Sequence, residues 1–236
     1  MKNKFVFGLI FCQFIGDSFC GPNERRLIKD LLQDYEPYER PVYNESAAVD
    51  LKHGLTILKL DLDVDTEILT GQIWMNMEWN DANLRWNPAD YGGIDDIRLP
   101  SERIWIPDII PYNALDYHSV DPRKQMTNIV VSSSGGCTWI PPIVLKTMCK
   151  VDDTSDTQSC DIKVGSWTYN GFKINLIKNQ AEADTSTYVR SKEWDLIGTT
   201  AERHEVLYPC CPEPYFDTTY NIKLKKRGYT LKSLLF

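Results

Sequence analysis

From about residue 50 to the C-terminus, apolar and polar residues alternate in short runs separated by turn-forming residues, and this pattern constrains the fold most. A period of two places every second side chain on one face, which is the signature of a strand buried on one side. The runs cover Leu55 to Val64, Ile68 to Trp79, Met126 to Ser132, Ile162 to Trp167, Phe172 to Ile177 and Tyr215 to Leu224. Between them lie turn clusters such as Asn87-Pro88-Ala89-Asp90-Tyr91-Gly92-Gly93 and Ser132-Ser133-Ser134-Gly135-Gly136. Only Glu24 to Asp34 has helical spacing, through Leu27, Ile28, Leu31 and Leu32. A chain of 236 residues could form one sizeable all-β domain or two small ones. The absence of a repeat or linker favours one. The expectation is an all-β, immunoglobulin-like β-sandwich opened by a short α-helix.

Residues 1–20 read as a secretory signal: Lys2 and Lys4 precede the apolar stretch Phe5 to Ile15, and Ser18 and Cys20 occupy small-residue cleavage positions. Gly21 would then begin the mature domain, residues 21–236. No segment approaches the roughly 20 consecutive apolar residues of a membrane span, so a secreted, extracellular protein with no membrane partner is expected. A gene model cut short after Phe236 would read the same way. Asn44-Glu45-Ser46 is an N-glycosylation sequon, coherent with export. A net charge of −7 and a pI near 5.1 offer no basic stripe for a phosphate backbone, so nucleic acid is not an expected partner.

Catalytic signatures are missing from the sequence. His53, His118 and His204 are scattered without metal-ligand spacing and read as surface residues. There is no nucleophile elbow, phosphate loop or zinc-protease motif. The acid pairs Asp95-Asp96 and Asp152-Asp153 read as solvated loop charges. The chain is expected to be neither an enzyme nor a cofactor or metal carrier.

Five cysteines follow the leader: Cys137, Cys149, Cys160, Cys210 and Cys211. Cys210 and Cys211 are adjacent. A trans peptide sets neighbouring Cα atoms about 3.8 Å apart, shorter than the usual disulfide span of about 4.4–6.8 Å. A bond between them would stiffen a hairpin tip flanked by Tyr208, Pro209, Pro212, Pro214 and Tyr215. The alternatives are two separate thiols or bridges made elsewhere.

The run Tyr208-Pro-Cys-Cys-Pro-Glu-Pro-Tyr215 resembles the loop over the agonist site of nicotinic acetylcholine receptor α subunits and the soluble acetylcholine-binding proteins. Matching segments follow in family order: Ile73-Trp74-Met75, Leu84 to Gly93, Ile104-Trp-Ile-Pro-Asp108 to Asn113, Trp139-Ile-Pro-Pro142 and Gly165-Ser-Trp-Thr-Tyr-Asn-Gly171. The resemblance implies a ligand site between subunits. Its principal face maps to Tyr112, Trp167, Tyr208 and Tyr215 under a Cys210–Cys211 disulfide, and its complementary face to Trp74, Val130, Thr138 and Ile140 of the next subunit. Both faces on one chain imply a homopentamer that binds acetylcholine and nicotine-like amines. Trp167 is the ring expected nearest the charge, because Trp is the best cation–π partner. Trp79, Trp86, Trp105, Trp139 and Trp194 are expected to pack in the core. The resemblance also implies that Asp108 braces the loop carrying Trp167, and that Lys163 and Asp217 form an ion pair beneath the capping loop.

Cys149 and Cys160 resemble the pair closing the family's signature loop, with ten residues between them where receptor subunits carry thirteen. Receptors have an apolar, aromatic segment there that meets their transmembrane part; this chain has Lys-Val-Asp-Asp-Thr-Ser-Asp-Thr-Gln-Ser. Such a loop suits water. The tail Lys223 to Phe236 ends where receptors enter their first transmembrane helix, which leads to the same expectation. A soluble binding protein is the first expectation and the extracellular domain of a channel subunit the alternative. A third possibility is a secreted sandwich with a vestigial cage. Cys137, the remaining thiol, is expected to be a small buried apolar residue.

Overall fold

The computed structural model describes residues 21–121, 124 and 127–228; the leader, Met126 and the last eight residues of the tail lie outside this range. Helix α1 (Pro22–Leu32) starts two residues earlier than its periodicity suggests. Pro22 occupies the first turn, where its missing N–H costs nothing. Leu27 buries the apolar stripe. The chain then forms β1 (Val49–Asp63), β2 (Ile68–Asn80), β3 (Asp96–Pro100), β4 (Ile109–Pro111), the single-turn helix α2 (Tyr117–Val120), β5 (Asn128–Ser132), β6 (Gly136–Trp139), β7 (Pro142–Met148), β8 (Thr157–Ser166), β9 (Ile174–Lys178), β10 (Trp194–Leu207) and β11 (Pro214–Lys226).

Two sheets result, as an all-β sandwich requires. Seven strands form one, in the order β3-β5-β6-β2-β1-β9, with β7 also paired to the long β2. Four form the other, in the order β10-β11-β8-β4. β1 begins at Val49 rather than Leu55 because its first residues, Val49 to His53, pair in parallel with β9. Alternation along the strands supplies the common core: Leu55, Ile57, Ile73, Met75, Met77 and Trp139 come from the first sheet, and Ile162, Val164, Tyr220, Ile222 and Leu224 from the second.

Four of the five tryptophans expected in the core, Trp79, Trp105, Trp139 and Trp194, are buried, and Trp86 packs half-buried against it. His53 corrects the surface reading of the histidines. It is fully buried on β1, with Nδ1 3.1 Å from the hydroxyl of Tyr220 on β11, and burial pushes its pKa down to about 3. Asp96 also departs from the loop reading: it opens β3, exposed and paired with Arg98. Cys137 is a free thiol buried on β6, pushed well above the usual thiol range by desolvation.

Disulfides close two ends of the molecule. Cys149–Cys160 joins the residue after β7 to β8 with Cα atoms 4.8 Å apart. Cys210–Cys211 sits at the tip of the β10–β11 hairpin with Cα atoms 3.8 Å apart. No helix among the described residues is long and apolar enough to cross a membrane.

Candidate functional site

The four-stranded sheet gathers the principal-face residues at one end. Tyr112 follows β4, Trp167 follows β8, and Tyr208 and Tyr215 flank the hairpin between β10 and β11. β4 pairs with β8, and β8 with β11, so three strand ends deliver four rings to one place. The Tyr112 and Trp167 rings meet edge to face at 6.2 Å, and Tyr208 and Tyr215 meet likewise at 5.5 Å. With Phe216 they wall a cavity of about 250 Å³.

Two glycines let the rings approach. A Cβ on Gly165 would lie 2.7 Å from Tyr112 Cζ, and one on Gly171 would lie 2.6 Å from the Phe216 ring. Neither position accepts a side chain without displacing a wall of the cavity.

Hydrogen bonds fix the rings further. Tyr112 donates its hydroxyl to the Ser166 carbonyl at 2.6 Å, and its backbone N–H to the Lys163 carbonyl. Burial pushes the Tyr112 phenol well above its usual range, and the Asp217 carboxylate adds to the shift, so it remains a donor. Asp108 holds the loop after β8 by accepting from the Ser166 hydroxyl, the Thr168 N–H at 2.8 Å and the Thr168 hydroxyl at 2.6 Å. Its carbonyl also accepts the Trp167 N–H at 3.2 Å. A carboxylate so bonded braces the loop that carries Trp167 rather than facing a ligand.

Among the described residues, Asp217 is the single carboxylate lining this cavity. It is buried and engaged by two bases, with Lys163 Nζ at 3.0 Å and His204 Nδ1 at 2.9 Å. Its charge is therefore largely compensated. What the cavity offers a guest is π faces, which attract a cation too weak in donors to form salt bridges.

The residues mapped to the complementary face lie elsewhere, Trp74, Val130 and Thr138 on strands of the seven-stranded sheet and Ile140 on the link between β6 and β7. Val130 on β5 pairs directly with Thr138 on β6, and Trp74 on β2 pairs with Pro142. Trp74, Val130 and Ile140 are 36%, 38% and 45% exposed, large apolar side chains turned outward. None of the four lines the ring-walled cavity of their own chain.

Sequence reasoning missed Tyr117 and His204. Tyr117 on α2 tilts against Trp167 at 6.0 Å and donates its hydroxyl to the Tyr112 carbonyl. Its segment has no strand alternation to mark it. His204 faces Asp217 directly across the β10–β11 ladder, a register that could have been found only once β10 was delimited.

A two-sheet sandwich with an aromatic cage beneath a disulfide hairpin defines a ligand-binding domain. The chain belongs to the family of neurotransmitter-gated ion-channel ligand binding domains, whose pattern it matches over residues 24–228. It is 41% identical over 219 residues to acetylcholine receptor subunit alpha-L1 of Schistocerca gregaria, covering 87% of this chain and 39% of that protein. It is 39% identical over 243 residues to acetylcholine receptor subunit alpha-like 2 of Drosophila melanogaster, with 96% and 41% covered. With neuronal acetylcholine receptor subunit alpha-2 of Homo sapiens it shares 39% over 207 residues, with 86% and 39% covered. The chain thus spans about two fifths of the length of these relatives.

Proposed function

We propose that this chain is a secreted, soluble acetylcholine-binding protein. Five copies would form a ring, and each cage of Tyr112, Trp167, Tyr208 and Tyr215 under Cys210–Cys211 would be completed by Trp74, Val130, Thr138 and Ile140 of the next copy. The observation that carries this reading is a cavity walled by aromatic rings whose single lining carboxylate among the described residues is already held by two bases. Such a site suits acetylcholine or a nicotine-like amine, each ring contributing about 0.5–2 kcal/mol according to its desolvation. The outward-turned Trp74, Val130 and Ile140 supply apolar surface for a neighbouring copy to cover. The protein binds and releases its ligand without chemistry, residues 1–20 direct export, and the exposed turn at Asn44 carries a glycan.

The loop closed by Cys149 and Cys160 supports the soluble form. Asp152, Asp153, Thr154 and Asp156 are exposed, and Gln158 turns inward to bond the Asp152 and Ser155 carbonyls. That loop satisfies its own polar groups and presents no apolar tip to a membrane-spanning partner. The second reading, the extracellular domain of a channel subunit, draws on relatives that are named receptor subunits and are more than twice as long as the matched region.

Light scattering of the secreted protein, combined with acetylcholine titration followed by tryptophan fluorescence, tests the proposal. The expected result is one species near five times the subunit mass that binds acetylcholine. A stable monomer that binds equally well would overturn the interfacial site. A transcript continuing past Phe236 into apolar helices would favour the second reading.

A further inference from the structure

A larger cavity of about 660 Å³ is also lined by Trp167. The indole is common to both: it meets Tyr112 in the smaller cavity and Tyr117 beside the larger, at centroid distances of 6.2 and 6.0 Å. The larger volume falls within the range of small-molecule sites, roughly 300–1,000 Å³. Its floor is Ile104 and Trp105, both buried, and its aromatic walls include Tyr38, Tyr117 and Tyr169. Tyr38 is 88% exposed on the segment between α1 and β1, so it can fold over a guest with little loss of existing contact.

Charge discriminates among guests. Glu102, Asp108 and Asp121 line this cavity, and no Lys, Arg or His does among the described residues. Asp108 is committed to the loop after β8, and Asp121 has a partner of its own, which leaves Glu102. Glu102 is exposed at the rim. Ring faces with a carboxylate rim favour a protonated amine, and the volume and apolar floor favour an amine bearing a fused ring system over a small quaternary ammonium.

We propose that this cavity is a second binding site, for flat aromatic amines, walled by Tyr38, Trp105, Tyr117 and Trp167, with Glu102 facing the ammonium group. It does not depend on the acetylcholine-binding reading, since only Trp167 is shared.

The test is calorimetric titration of the assembled protein with 2-(2-naphthyl)ethylamine, its neutral analogue 2-(2-naphthyl)ethanol and the anion 2-naphthylacetate. Wild type, Tyr38→Ala, Glu102→Gln and Tyr208→Ala are compared. Tyr38 and Glu102 are exposed, so their variants fold, and neither lines the smaller cavity. The amine is expected to weaken about fivefold in Tyr38→Ala and in Glu102→Gln, to be retained in Tyr208→Ala, and to bind more tightly than the alcohol, with the carboxylate weakest. Loss in Tyr208→Ala with no change in the other two variants would place the amine in the smaller cage and overturn the second site. Equal affinity for amine and alcohol would overturn the ligand class, and absence of amine binding to wild type would overturn both. If acetylcholine fails to bind wild type while the Tyr38-dependent amine site persists, the acetylcholine reading falls and this one stands.

Discussion

The two faces mapped to one ligand site are built in opposite ways. On the four-stranded sheet every ring is held from within the chain: Tyr112 by the Ser166 carbonyl, the Trp167 loop by Asp108, and Tyr208 and Tyr215 by each other across the hairpin. On the seven-stranded sheet, Trp74 and Val130 are placed by strand register and Ile140 by the short link between β6 and β7, and all three are turned outward. The first face is preorganised, so little side-chain freedom remains to be lost on binding. The second has its geometry set by the backbone, and its side chains gain most of their packing only when another surface covers them. Substitutions in the first should therefore act on ligand affinity directly, and substitutions in the second through whatever covers it.

The largest effect expected is at Trp167. Trp167→Ala removes the strongest π face and should weaken acetylcholine binding by about thirtyfold or more, corresponding to about 2 kcal/mol. Trp167→Phe should fall between the two. The side chain is 62% exposed, so thermal stability should stay within about 0.5 kcal/mol of wild type. Fluorescence titration beside a thermal melt checks both halves of the statement. Binding within threefold of wild type would remove Trp167 from the site.

Much of this face was legible in the sequence, because Tyr112, Trp167, Tyr208 and Tyr215 sit in runs that resemble a known pattern. The strands supporting it were less so. β10 was not delimited because its alternation breaks at a register shift between Leu196 and Gly198, and because its exposed half carries Glu202, His204 and Glu205 instead of apolar residues. β4 and β6 are three and four residues long, too short for a period to show. Tyr117 belongs to a single turn of helix, where neither period applies. The second face was readable only through the resemblance, since outward Trp and Val on a strand carry no signal that separates interface from ordinary surface.

An effect of comparable size, but on stability and common to both faces, comes from His53 between the two sheets. The unfolded chain takes up a proton on this imidazole near the ordinary value of about 6.5, whereas the folded chain does so only near 3. Between those values the unfolded state binds more protons, so stability falls as pH is lowered through this window. From pH 7 to pH 5 the loss should be about 2 kcal/mol. His53→Gln keeps a polar neighbour for the Tyr220 hydroxyl and should flatten the dependence. Melts followed separately by far-ultraviolet circular dichroism and by tryptophan emission should shift together, because the residue joins β1 to β11. Loss of one sheet before the other would show that the two faces rest on separate cores.

The smallest effect expected is at Trp74. In an assembled ring, Trp74→Ala should weaken acetylcholine by about fivefold, near 1 kcal/mol, because a partly exposed ring at the edge of a cage contributes at the lower end of the cation–π range. The same change should leave the stability of the isolated chain within about 0.5 kcal/mol, since Trp74 lies on the outward parity of β2 while Ile73 and Met75 fill the core. Light scattering must accompany the titration, because an affinity loss caused by ring dissociation depends on protein concentration and a direct loss does not. Unchanged affinity in an intact ring would mean that the outer face borders the ligand without touching it. A stability loss above about 2 kcal/mol would mean that Trp74 packs within its own chain, and the contrast between a preorganised and an uncovered face would fail at its clearest residue.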